Sequence, residues 1–159
     1  MIVVSVKLDV QYACASDTRL PAIEDFQRWA DVAWCETGVA EVVIRLVNEA
    51  ESRNLNYQYR GKDSATNILS FPMELPDELA AKVDEIMLGD LIICAPVVAH
   101  EAAEQNKILM HHWAHMVIHG MLHLQGYDHI SDDEAEAMES LEIKLLQQLG
   151  MTNPYGYDE

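Results

Sequence analysis

At 159 residues, half of them hydrophobic, the chain can bury one sizeable core but has too little length for a second. A formal net charge of −17, from 27 acidic against 10 basic side chains, excludes the basic footprint of a protein that captures nucleic acid by long-range attraction. No apolar run reaches about 18 residues, which argues against a helical membrane span, and Cys14, Cys35 and Cys94 read as reduced thiols of a cytoplasmic protein with no Cys-x2-Cys metal pair.

Residues 1–12 alternate like a strand and carry no basic leader, so no signal peptide is expected. Pro21 suits the first position of a helix that places Ile23, Phe26, Trp29, Ala30, Ala33 and Trp34 at helical spacing until Gly38. The β-branched run from Val39 to Val47 predicts a second strand, and residues 48–59 a short helix that delivers Arg60, Gly61, Lys62 and Asp63 into a loop. Ile68 to Phe71 form a third strand stopped by Pro72, and Ile86 to Cys94 a fourth. Pro96 opens a helix to about Asn106, and Ile108 to Leu124 form the next. Ser131-Asp132-Asp133-Glu134 has capping-box spacing for a last helix that turns Met138, Leu141, Leu145 and Leu149 inward and ends at Gly150. The pattern predicts a single α+β domain over 1–150, a four-stranded mixed sheet packed with about five helices, and a flexible tail over 151–159.

The chemistry concentrates in His119-Gly120-Met121-Leu122-His123-Leu124-Gln125-Gly126-Tyr127-Asp128-His129. His119 and His123 share a helical face about 6 Å apart in rise, close enough for both rings to reach one ion about 2 Å away. Gly126 stands where the helix can end in a left-handed residue and turn His129 back toward the pair. Three histidines leave tetrahedral zinc one open position, the mark of a reactive rather than a structural site. The spacing matches the zinc-protease pattern H-E-x-x-H-x-x-G-x-x-H, except that Gly120 stands where those enzymes carry a glutamate base. Ordinary proteolysis is therefore disfavoured, and metal-assisted hydrolysis without that base is what survives.

His111, His115, His119 and His123 form a ladder of four-residue steps, but only the last pair is followed by Gly126 and His129. His115 reads as a hydrogen-bonded helix histidine or as an outer partner of the metal set, and Asp128 as a turn residue or an orienting carboxylate. His100, His111 and His112 are expected to have no metal role, and Trp113 and Met116 to be core. The acids cluster at 74–85 and 132–142, leaving positive potential around Arg45, Arg53, Arg60 and Lys62.

These histidines, together with Leu55 to Pro72 (with Asn56, Tyr59-Arg60-Gly61-Lys62-Asp63, Thr66-Asn67 and Ser70-Phe71-Pro72) and Leu88-Gly89-Asp90-Leu91-Ile92-Ile93, resemble the three signatures of the YbeY endoribonucleases, or rRNA maturation factors, in the family's order. The resemblance implies an α+β fold and a metal-dependent, single-strand-specific endoribonuclease acting in small-subunit rRNA 3′-end maturation and ribosome quality control. It implies zinc on His119, His123 and His129, with nickel or another divalent metal able to replace it in a purified sample. It gives Arg60 a catalytic place beside the metal, where a guanidinium would steady a phosphate; on residue type alone, an arginine after a helix is more often a solvated cap. Lys62 is a weaker phosphate contact, and Thr66, Asn67 and Ser70 are read as serving their own loop. Implied partners are single-stranded RNA, the small ribosomal subunit with its proteins, and an assembly GTPase, with no membrane and no DNA. Two rivals stand beside this reading: a metal-dependent hydrolase of another substrate, and a noncatalytic assembly factor whose metal stabilises the fold.

Overall fold

The structure, a computed structural model, describes residues 6–15, 19–36, 38–73, 85–128 and 130–155. Four strands, β1 (Val6–Ala13), β2 (Val39–Val47), β3 (Ile68–Pro72) and β4 (Glu85–Cys94), form one sheet in the order β1-β2-β4-β3. β1, β2 and β4 run parallel, while β3 lies antiparallel on the outer side of β4. Among the described residues, five helices accompany them: α1 (Ile23–Ala33), α2 (Glu49–Arg60), α3 (Ala95–Glu104), α4 (Leu109–Leu124) and α5 (Asp132–Gln148). The α+β architecture with a mixed four-stranded sheet is thus the one the sequence predicts. No described helix is long and apolar enough to cross a membrane.

Alternation sets the faces of the sheet. Along β2, Ala40, Val42, Ile44 and Leu46 are buried, while Glu41, Val43 and Arg45 point to the other face. Leu91 and Ile93 of β4 join the buried face, which α1 and α4 cover. Trp113 of α4 and Trp29 of α1 both meet Phe26 edge-on, with ring centroids 5.9 and 5.7 Å apart. Trp113 and Met116 are core residues, as expected. α4 is buried on nearly every side, because the sheet, α1, α3 and α5 all pack on it. A helix held this firmly can present a few polar side chains with little freedom.

Differences from the sequence reading are local. α1 begins at Ile23 rather than Pro21: Ala22 caps it, its N–H donating to the Asp25 carboxylate at 3.0 Å, and Ile23 stays exposed. Pro72 closes β3 from within rather than from outside it. Ser131 caps α5 as its spacing predicts, its Oγ accepting from the Glu134 N–H at 3.1 Å. Residues 1–5, most of the acidic stretch 74–85, His129 and residues 156–159 lie outside the described residues.

Candidate functional site

α4 carries His112, His115, His119 and His123 along one flank. At its C-terminus Gly126, with φ of 100°, takes a conformation that side chains disfavour. The Tyr127 N–H donates to the Leu122 carbonyl and the Gly126 N–H to the His123 carbonyl, both at 3.0 Å, which ends the helix in a Schellman turn. The chain therefore reverses where the sequence places the reversal, and Asp128 returns to the same cleft as His119 and His123.

That cleft has a volume of about 870 Å³ and lies between the end of α2, β3 and the end of α4. His119 and His123 open into it with their Nε2 atoms 3.0 Å apart. Two nitrogens on one tetrahedral zinc, with bonds of about 2.0–2.1 Å, stand about 3.3 Å apart, so this donor pair fits a metal on the cleft side. Arg60, the last residue of α2, lines the same cleft, with its side chain exposed. Asp128 is the one carboxylate on the cleft wall among the described residues.

The other nitrogen of His119 faces inward. Its Nδ1 lies 2.6 Å from Oε1 of Glu142, a residue of α5 with no exposed surface. His115 Nε2 stands 3.3 Å from the same oxygen, and the Tyr155 hydroxyl donates to Oε2 at 2.5 Å. Burial pushes the Glu142 carboxyl up, but the hydrogen bonds from His115 and His119 outweigh it and hold the group down to about 2. Donor atoms of His115, His119 and Glu142 lie within 4.8 Å of one another, so they too could surround an ion. The cleft side suits a reactive metal better: it is open to substrate, whereas the 2.6 Å contact to Glu142 is hydrogen-bond geometry around a fully enclosed carboxylate.

Glu142 and Tyr155 are the residues that sequence reasoning missed. The acidic run 132–142 reads as solvated surface, yet Glu142 falls on the inward stripe of α5, four residues after Met138 and three before Leu145. A carboxylate at an apolar position was the available signal. His115 is buried and lies against Glu142, the carboxylate behind His119. His112, at 2.9 Å from Glu101, belongs to a second chain: Glu101 also accepts from Asn67 Nδ2 at 3.2 Å, and Asn67 Oδ1 accepts from the Ile68 N–H at 2.7 Å. Thr66 exchanges hydrogen bonds with the Ser52 hydroxyl, both at 3.0 Å. These contacts tie the loop before β3 to α2 and α3.

The positive cluster expected around Arg45, Arg53, Arg60 and Lys62 is smaller than its sequence suggests. Arg45 is paired with Glu51 at 2.7 Å and Arg53 with Asp63 at 2.6 Å.

Gly120 explains the missing protease base. It is buried against the sheet, and a Cβ there would come within 2.7 Å of Ile68 Cδ1 and 2.8 Å of Leu91 Cδ2. A side chain at this position would have to displace the ends of the Ile68 and Leu91 side chains.

Comparison with known proteins agrees with this geometry. Residues 15–150 match the family described as Endoribonuclease YbeY. The Colwellia psychrerythraea protein named Endoribonuclease YbeY is 54% identical over 153 residues, covering 93% of this chain and 96% of its own. A Thermotoga maritima protein of known solution structure shares the fold, with a TM-score of 0.54 over 95% of this chain and 97% of that one at 24% identity. With a match over most of its length and a close relative of that name, the chain belongs to the YbeY family of endoribonucleases.

Proposed function

We propose that this protein is a cytoplasmic, metal-dependent endoribonuclease specific for single strands, acting in small-subunit rRNA 3′-end maturation and ribosome quality control. The observation that carries the reading is the convergence of His119, His123 and Arg60 on one open cleft in a member of this family. His119, His123 and His129 would hold one zinc ion, whose chemistry is Lewis acidity toward a water or a phosphoryl oxygen. Arg60 contributes a planar fork of donors to the phosphate and stays charged as negative charge develops on it. Glu142 and Asn67 keep the cleft walls in place, the first behind His119 and the second through Glu101. The steric closure at Gly120 weighs against the peptide-hydrolase rival.

With a net charge of −17, RNA is expected to arrive within a larger assembly, on which the small ribosomal subunit, its proteins and an assembly GTPase are the partners the family suggests. The test is zinc-loaded protein on a single-stranded RNA mimicking the precursor 3′ end, beside a duplex of the same sequence. Cleavage of the single strand alone is expected; no cleavage of either, with the metal bound, sends the reading to the noncatalytic assembly factor.

A further inference from the structure

We infer that the turn after α5 belongs to the metal centre: Tyr155 is a positioning residue that acts through Glu142 to hold His119 with its Nδ1 protonated and its Nε2 turned to the cleft. Tyr155 lies beyond residues 15–150, the stretch matched by the family, so the family match assigns it no role. The inference rests on the reading that His119 and His123 bind the metal.

The turn back is built locally. Gly150, with φ of 77°, ends α5, and the Met151 N–H donates to the Leu146 carbonyl at 2.9 Å. Met151 packs against the core, and the Tyr155 N–H donates to Asn153 Oδ1 at 2.9 Å. The Tyr155 ring then stands edge-on to His115, with centroids 5.3 Å apart. Residues 151–155, read from the sequence as the start of a tail, thus cover the inner end of the histidine ladder.

One assignment of protons satisfies the contacts of this cluster among the described residues. A carboxylate only accepts, so the Tyr155 hydroxyl donates to Oε2 and His119 Nδ1 to Oε1, while His115 Nε2, 3.3 Å from both Oε1 and the Tyr155 hydroxyl oxygen, donates between the two. A neutral His119 with Nδ1–H has its lone pair on Nε2, the atom that faces His123 in the cleft. His115 Nδ1, buried and without a hydrogen-bond partner among the described residues, is then an acceptor rather than a stranded donor. Glu142 has no exposed surface, so the Tyr155 hydroxyl takes the place solvent would fill at its second oxygen. Without that hydroxyl, Glu142 keeps its charge but loses the donor that fixes its plane, and the hold on the His119 ring loosens.

The experiment measures Zn²⁺ and Co²⁺ affinity by chelator competition on metal-free full-length protein, with folding checked by circular dichroism, for wild type, Tyr155→Phe, Glu142→Gln and His123→Ala. Imidazole nitrogen shifts of the metal-free protein report the His119 tautomer. Expected are loss of binding in His123→Ala, affinity weakened about 10- to 100-fold in Tyr155→Phe and Glu142→Gln, and a His119 ring that shifts from Nδ1–H toward mixed tautomers. Wild-type affinity and tautomer in Tyr155→Phe and Glu142→Gln, with binding lost in His123→Ala, would overturn the inference and leave the metal reading standing. Wild-type affinity in His123→Ala would overturn both. Loss in Glu142→Gln as complete as in His123→Ala, with Tyr155→Phe unaffected, would make Glu142 a ligand and overturn its positioning role.

Discussion

Gly120 and Leu91 are packed so closely that any side chain at 120 must displace Leu91: a Cβ would sit 2.8 Å from its Cδ2. Alanine there gains about 1 kcal/mol of helix propensity but meets about 1–3 kcal/mol of overpacking. Gly120→Ala is expected to lower the denaturant midpoint modestly. Gly120→Glu, which would recreate the zinc-protease sequence, should fail to fold, because it forces a carboxylate between α4 and the sheet. Soluble, folded Gly120→Glu that cleaves casein would contradict this placement.

His123 is only half-buried at the cleft edge, while Trp113, Val117, Met121 and Leu122 anchor α4 in the core. His123→Ala should therefore keep its circular dichroism and melt within a few degrees of wild type while losing metal. Collapse of the fold would instead favour the reading in which the metal is structural.

Arg60 lines the cleft with no hydrogen bond or ion pair among the described residues, whereas Arg53 is tied to Asp63. Arg60→Ala should cost about 100- to 1,000-fold in kcat with the fold intact, by the magnitude of a lost charge-stabilising donor. Arg60→Lys should recover only part, since an ammonium lacks the planar fork. Arg53→Ala should leave turnover near wild type; equal losses in the two alanine variants would mean that general positive charge, not Arg60, matters.

The legible parts of the fold were those where local pattern and tertiary packing agree. The mostly apolar segment from Val39 to Val47, rich in β-branched residues, is β2 to the residue, and Ser131 with Glu134 marks the start of α5. The His119, His123 and Gly126 spacing carries its own geometry, because a helix face and a positive-φ residue are local facts. Glu142 and Tyr155 were hidden for the opposite reason. Their meaning depends on α5 lying beside α4, a contact 23 residues away in sequence for Glu142 and 40 for the Tyr155–His115 pair. The start of α1 was misplaced because Asp25 offers the backbone a cap that Pro21 does not foreshadow.

Arg60 is the one arginine or lysine on the cleft wall among the described residues, so binding to free RNA should be weak and only mildly sensitive to salt. If Arg60 and Lys62 are the main phosphate contacts, the slope of log K against log salt should be about −1.4, at about −0.7 for each contact on a single strand. Fluorescence anisotropy with a short RNA across salt concentrations checks this. A slope several-fold steeper, or tight binding at physiological salt, would mean a basic surface elsewhere.

The central claim is that RNA is cut where His123 and Arg60 meet in one cleft. The most direct measurement is cleavage of a single-stranded RNA mimicking the precursor 3′ end by zinc-loaded wild type, Arg60→Ala and His123→Ala, each confirmed as folded. Cleavage by wild type that disappears in both variants is the predicted result, and equal cleavage by all three would contradict the claim.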